Sequence, residues 1–229
     1  MASMLADGAK RSFDVVLSFV GLCLVSPVLL LIAVLIKLAS PGPVLYRGVR
    51  VGRRGKTFRI LKFRTMIVDA ELLGGSATAG DDRRLTSLGK SLRRYKLDEL
   101  PQLLNVLKGE MSFVGPRPEV QKYVDKYSET ERAVLQLRPG ITDWASIWNS
   151  NEAAVLEGSN DPEKSYEELI LPTKLALQRK YLQHHSFTTD LKILFHTFAK
   201  LLHEHWVPKE LESYGKVRPY RVVVSETST

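Results

Sequence analysis

Two adjacent carboxylates, Asp98 and Glu99, lie in the run Leu97-Asp98-Glu99-Leu100-Pro101-Gln102, with Arg93 and Arg94 just before them and Arg117 downstream. Carboxylates among arginines suit magnesium-assisted phosphate chemistry. Mg2+ takes one or two carboxylates and leaves its other positions to phosphate oxygens and water, while arginine's planar fork holds phosphate oxygens in two-point contact. An aspartate can also attack phosphorus itself, dividing a hard transfer into two easier steps. The same residues admit a plainer reading, because an acidic pair with salt-bridging arginines is an ordinary feature of an exposed helix. Other phosphate-binding devices are missing: the chain has no GxxxxGK(S/T) loop and no GxGxxG after a strand. His184-His185 and His203/His205 lack an obvious third ligand and read as surface or interface residues. The single cysteine, Cys23, excludes an intramolecular disulfide and any Cys/His zinc pattern.

The elements that must position these residues begin with an uncharged stretch from Val15 to Ile36, interrupted at Ser26-Pro27. As a straight helix its 22 residues would span roughly 33 Å, enough to cross a bilayer's hydrocarbon core. Proline in mid-helix removes the bond to the carbonyl of Cys23, and the Ser26 hydroxyl can reach that carbonyl or Leu22's. Lys10 and Arg11 precede the stretch; Lys37, Arg47, Arg50, Arg53 and Arg54 follow it. Basic flanks prefer the cytoplasmic side, and here both ends ask for it. A helix that enters, breaks at Pro27 and returns satisfies both; a kinked span satisfies one. The segment alone leaves the two open. A signal peptide fits less well, since Lys37 interrupts the run before any Ala/Ser cleavage site.

The chain has 229 residues and a net charge of +8. Its mean hydropathy of -0.10 argues for one hydrophobic insertion carrying a soluble body rather than several spans. From Arg47 to Arg64 there are eight basic residues and no acid, a block suited to anionic headgroups, nucleic acid or a phosphorylated substrate. Ser40-Pro41-Gly42-Pro43 marks a turn, Val44–Val51 and Thr57–Arg64 read as a hairpin's strands, and Gly74–Gly80 as a flexible loop. Helices are expected over Thr86–Leu97, Pro101–Lys108, Glu119–Leu137 and Tyr166–Leu182, the last interrupted at Pro172. Asn149–Pro162 reads as loop. In the final helix Leu191, Leu194, Phe195, Phe198, Leu201 and Leu202 share one face, which either packs on a core or lies among headgroups.

Taken in order, Lys10-Arg11 with Asp14, Ser26-Pro27, Ser40-Pro41-Gly42-Pro43, Lys62-Phe63-Arg64-Thr65-Met66, Asp98-Glu99-Leu100-Pro101-Gln102-Leu103-Leu104-Asn105-Val106, Gly115-Pro116-Arg117-Pro118 and Arg138-Pro139-Gly140-Ile141-Thr142 resemble the bacterial sugar transferase family of monotopic phosphoglycosyl transferases. The resemblance covers Lys10 to Leu202. It implies transfer of a sugar-1-phosphate from a UDP-sugar to a polyprenyl phosphate such as undecaprenyl phosphate, opening the assembly of a capsule, O-antigen, exopolysaccharide or glycoprotein glycan. It further implies Asp98 as nucleophile, with UMP expelled and a phosphosugar-aspartyl intermediate formed. Asp98 and Glu99 would hold Mg2+ or, for Glu99, assist proton handling. Arg117, Arg93, Lys62 and Arg64 would contact phosphate, and Ser26-Pro27 would make the membrane re-entry. The chain departs from the family pattern at Asp143-Trp144-Ala145-Ser146, where Gly-Trp-Ala-Gln is common, and at Gly48, where a glutamine is common. Without the extra membrane helices of larger members, it reads as a minimal catalytic form.

The expected architecture is an α+β, helix-rich single catalytic domain with surface amphipathic helices. Residues 10–38 would form the re-entrant membrane helix, 39–205 the cytoplasmic catalytic domain and 206–229 a polar tail. The expected location is the bacterial inner membrane, catalytic domain on the cytoplasmic face. Expected partners are a UDP-sugar, undecaprenyl phosphate and membrane lipids, with no nucleic acid and with room for a homo-oligomer. The rival from another class is a non-catalytic basic scaffold at the membrane surface.

Overall fold

The apolar stretch forms a single helix, α1 (Ala2–Ala39); the break expected at Ser26-Pro27 does not occur, and the helix continues through Pro27. The computed structural model describes residues 2–203 and 206–215. The carbonyl of Cys23, which Pro27 leaves without its helical donor, accepts instead from Ser26 Oγ at 2.9 Å. One stripe of α1, including Asp14, Ser18, Ile32 and Ile36, is buried. Its remaining surface is apolar and exposed, with Leu24 75% and Leu38 80% accessible. The chain folds as two compact units, one of the chain up to Ala70 with Arg84–Ile141, the other of Glu71–Arg83 and the chain from Thr142 onward.

In the first unit, β1 (Leu45–Tyr46) pairs antiparallel with β4 (Lys62–Phe63), and β2 (Val49–Val51) with β3 (Thr57–Arg59). The long hairpin expected from the sequence is thus two short ladders separated at Gly48 and Ile60-Leu61. Helix α2 (Ser87–Arg94) starts at Thr86, whose hydroxyl accepts from Gly89 N at 2.9 Å. A 3-10 turn, Leu97–Glu99, leads into α3 (Gln102–Lys108), which Gly109 ends at φ 87°. Strand β5 (Ser112–Val114) pairs with β6 (Gly140–Thr142). Between them the single helix expected over Glu119–Leu137 is broken into α4 (Gln121–Val124), α5 (Glu129–Arg132) and a 3-10 turn, Ala133–Gln136. Ser128 explains the break, since its capping box with Glu131 starts a new helix there.

Both ends of α1 pack on this one unit. At the first end Lys10 Nζ donates to Val114 O at 3.0 Å, Arg11 donates to Val106 O and Leu107 O at 2.6 and 2.9 Å, and Asp14 accepts from Phe113 N at 3.2 Å. At the other end Ile32 and Ile36 form a core cluster with Phe63 and Leu92, and Lys37 donates to Gly42 O at 3.0 Å. The basic flanks therefore satisfy carbonyls at the ends of α3 and β5 and in the turn after α1, in addition to carrying charge.

In the second unit, α6 (Trp144–Trp148), α8 (Pro162–Leu169) and α10 (Phe187–Leu202) gather around α9 (Leu171–His184) and one another, with a one-turn α7 (Glu152–Val155) inside the expected loop. Pro172 does not kink a helix; it lies in the first turn of α9, after α8 has ended. The Gly74–Gly80 stretch is anchored rather than loose. Ala77 and Ala79 are buried, Ala77 N donates to Glu163 Oε1 at 2.9 Å, and Gly80 N donates to Ala153 O at 2.8 Å. Small residues there permit close approach. In α10 the expected apolar face is the exposed one, Phe195, Phe198, Leu201 and Leu202 all being at least 60% accessible. The helix is seated instead by Asp190, Ile193 and His196, with Tyr181 donating to Asp190 at 2.6 Å and Thr142 and Thr197 bonded at 2.7 Å. His184 and His185 are exposed. Lys209–Tyr214 is a 3-10 segment of the expected tail; His205 and 216–229 lie outside the described residues.

Candidate active site

Three backbone devices converge on the Leu97–Glu99 turn. The first is α2, which lies so close to the chain after β4 that a Cβ on Gly89 would overlap the Thr65 carbonyl. That carbonyl accepts from Thr86 N at 3.0 Å, and Thr65 Oγ1 accepts from Arg93 Nε at 3.0 Å. The second is the pair of proline-rich loops. Gly115 and Gly140 face each other so closely that a Cβ on either would meet the other's backbone, and Gly140 N donates to Pro116 O at 3.1 Å. This fixes Arg117, whose Nη1 donates to Ile141 O at 3.1 Å. The third is β4, which delivers Lys62.

Glu99 is locked by these elements. Lys62 Nζ donates to its Oε1 at 2.8 Å, and Arg117 grips both carboxylate oxygens, Nη1 on Oε2 at 3.2 Å and Nη2 on Oε1. Burial alone would raise the Glu99 pKa, but Arg117 and Lys62 hold it well below the ordinary 4.5. Lys62 in turn is pushed down from its ordinary value by burial, with Glu99 opposing.

Asp98 is placed differently. It is 6% exposed and makes no side-chain hydrogen bond to any described residue. Burial raises its pKa above the ordinary 3.8; the charges of Lys62, Arg93 and Lys96 pull the other way, and Glu99 adds to the rise. The result is an unengaged carboxylate beside a cation-compensated one, in a site where positive side chains outnumber negative ones. Such a site suits an anionic phosphate ester.

Of the residues singled out from sequence, Asp98, Glu99, Lys62, Arg93 and Arg117 come together. Arg64 does not. Its guanidinium is spent on Ser40 Oγ, Ser40 O and Pro41 O, closing the turn after α1. Alternation along an extended chain puts Lys62 and Arg64 on one face but does not give them one partner. Ser26 and Pro27 lie in the exposed middle of α1. Two contributors were missed by sequence reasoning: Thr65, which orients Arg93, and Lys96, held at φ 57° two residues before Asp98. Proximity to the acidic pair was the available signal for Lys96. The departures at Asp143 and Ser146 account for each other. Asp143 caps α6, its Oδ1 accepts from Ser146 N and Oγ at 2.7 Å, and its Oδ2 accepts from Gln178 at 3.0 Å.

Both oxygens of Glu99 already accept from cations, so of this pair Asp98 is the carboxylate that makes no side-chain hydrogen bond to a described residue. No group of three or more His, Cys, Asp or Glu side chains that could hold a metal occurs among the described residues. As placed, Asp98 alone would offer a carboxylate to a Mg2+ completed by phosphate oxygens and water, and Glu99 would join only on release by Lys62 or Arg117.

A family model described as bacterial sugar transferase matches residues 5–204. The chain belongs to the bacterial sugar transferase family. Among curated members of the family, it is 36% identical over 198 residues to the UDP-N-acetylgalactosamine-undecaprenyl-phosphate N-acetylgalactosaminephosphotransferase of Aeromonas hydrophila, covering 84% of this chain and 43% of the relative. It is 38% identical to the exopolysaccharide production protein ExoY of Rhizobium meliloti, covering 82% of this chain and 83% of the relative. It is also 38% identical to the UDP-glucose:undecaprenyl-phosphate glucose-1-phosphate transferase of Escherichia coli K12, covering 83% of this chain and 39% of the relative. The chain thus spans less than half the length of the Aeromonas and Escherichia relatives and most of the Rhizobium one.

Proposed function

We propose that this family member transfers a sugar-1-phosphate from a UDP-sugar to undecaprenyl phosphate, the first membrane step in building an exopolysaccharide or related glycan. The observation that carries the chemistry is the contrast between Asp98, buried and unengaged, and Glu99, pinned by Lys62 and Arg117. The names of the relatives supply the substrate class. An Asp98 oxygen attacks the sugar-bearing phosphorus of the diphosphate; the bond from that phosphorus to the bridging oxygen breaks and UMP leaves. A phosphate oxygen of undecaprenyl phosphate then attacks the same phosphorus, releasing the carboxylate and leaving a sugar diphosphate lipid. Arg93 and Arg117 are assigned to the phosphoryl oxygens, where fixed positive charge lowers the barrier as negative charge shifts. Lys62, bridged to Glu99, adds to that field.

Asp98, and Glu99 once Lys62 or Arg117 releases one of its oxygens, are the residues assigned to Mg2+. When bound, the ion supplies further charge neutralisation at the diphosphate. On this reading the polyprenyl head reaches the site from a leaflet in which α1 is embedded. Re-entry of α1 is supported by the attachment of its two ends to one unit, through Lys10, Arg11 and Asp14 at one and Ile32, Ile36 and Lys37 at the other. A span would carry those ends to opposite sides of roughly 30 Å of hydrocarbon. The exposed apolar face of α10 supports additional contact with the headgroup layer.

The test is transfer of radiolabel from a panel of UDP-sugars to undecaprenyl phosphate in vesicles, with and without Mg2+. One sugar is expected to label the lipid in an Mg2+-dependent manner with stoichiometric UMP release. Tight binding to anionic vesicles with no transfer from any sugar would leave a membrane scaffold in its place.

A further inference from the structure

The Lys62–Glu99 bridge requires β4 to reach the Leu97–Glu99 turn in one register, yet the chain leaves its ladder at Ile60-Leu61, immediately before Lys62. There the fully buried side chain of Asn105, on α3, takes the place of a neighbouring strand. Its Oδ1 accepts from Leu61 N at 2.9 Å and its Nδ2 donates to Arg59 O at 2.9 Å. A carbonyl and the N–H two residues on point to the same side of an extended chain, and a paired strand would engage both. Nδ2 also donates to Glu110 Oε2 at 2.7 Å, which fixes the amide's orientation. Behind it Ile60 packs with Val106 and Met111, so the same stretch is held by polar and apolar contacts.

We propose that Asn105 is a positioning residue for Lys62. It ties the backbone just before Lys62 to the helix that follows Asp98 and Glu99, so both partners of the bridge are carried by one rigid connection. No other residue type supplies the same acceptor and two donors at this length. Aspartate would keep the shape, lose both donors and face Glu110 with like charge. The catalytic consequence rests on the transferase reading above; the effect on Lys62 does not.

Two measurements on the full chain in lipid nanodiscs separate those claims. In the first, the rate of Lys62 acetylation by an N-hydroxysuccinimide ester is read by peptide mass spectrometry, with exposed Lys164 as the internal standard. Asn105→Ser is expected to raise Lys62 labelling about fivefold relative to Lys164, as the freed ammonium leaves Glu99. In the second, kcat/KM for sugar-phosphate transfer is expected to fall about tenfold on Asn105→Ser in the Lys62 protein and less than about twofold in Lys62→Met, because the two residues act in series. Should Asn105→Ser not fold, the isosteric Asn105→Asp carries both measurements. Unchanged Lys62 labelling, or an equal loss in both backgrounds, would overturn the proposal. If no UDP-sugar is a substrate, the labelling result still decides the positioning role, and only the function falls.

Discussion

Burial alone would raise the pKa of Asp98 and Glu99 alike, but only Glu99 has cations within hydrogen-bond range, so the two move in opposite directions. The consequences for pH differ in sign. Glu99, depressed below 4.5, contributes stability that is complete above about pH 4.5 and is lost only as pH falls through its lower folded value. Asp98, raised above 3.8, carries a burial cost that protonation relieves, so acidification through its folded value does not weaken the fold on its account. On the proposed assignment of Asp98 as nucleophile, activity should therefore be lost before the protein unfolds. A single-turnover pH profile of UMP release is expected to show a one-proton acid limb above pH 3.8, with far-ultraviolet circular dichroism still native at its midpoint. Arg93→Gln should move that limb upward by removing a charge that favours the carboxylate. A limb at or below 3.8, or one that tracks unfolding, would contradict the assignment of Asp98. The acidic pair and its arginines were legible in the sequence because they are close together along the chain. The fate of Arg64 was not, since its partners at Ser40 and Pro41 depend on where α1 ends in space.

Among the elements, α2 and the chain after β4 are held together at Gly89, where any side chain would displace the Thr65 carbonyl. Gly89→Ala is expected to cost about 1–3 kcal/mol through overpacking, lowering the thermal midpoint in detergent and loosening Arg93 from Thr65. An unchanged midpoint with full activity would show that the contact relaxes freely. The turn after α1, the region of the hairpin and helices α2, α3 and α10 followed from spacing and from Gly, Pro and capping residues, whereas the split of the hairpin into two ladders and of Glu119–Leu137 into short pieces did not. What spacing could not supply was the partner of each face. The apolar residues of α10 have helical periodicity whether they meet protein or lipid, and the structure leaves Phe195 and Phe198 exposed while Asp190 and His196 are buried. Gly74–Gly80 looked flexible for a related reason. Small residues free a chain in solution, yet they also let it pack closely against Glu163 and Ala153.

At the scale of the whole molecule, both ends of one long apolar helix are attached to the unit that carries Asp98 and Glu99. Single cysteines placed at Asp7 and Leu38 in a Cys23→Ser background are expected to react with an impermeant maleimide from the same side of sealed vesicles. Labelling from opposite sides would reject re-entry and leave a kinked span. On the proposed mechanism the lipid acceptor reacts second, after UMP has left, so the sugar phosphate would wait on the protein between the two events. The most direct measurement is the intact mass of the purified protein after incubation with its UDP-sugar in the absence of undecaprenyl phosphate. The expected result is a gain of one sugar phosphate, localised to Asp98, with one UMP released per chain and the gain lost on adding the lipid. Brisk transfer to lipid with no mass gain at any time, or an Asp98→Asn protein that turns over normally, would contradict it.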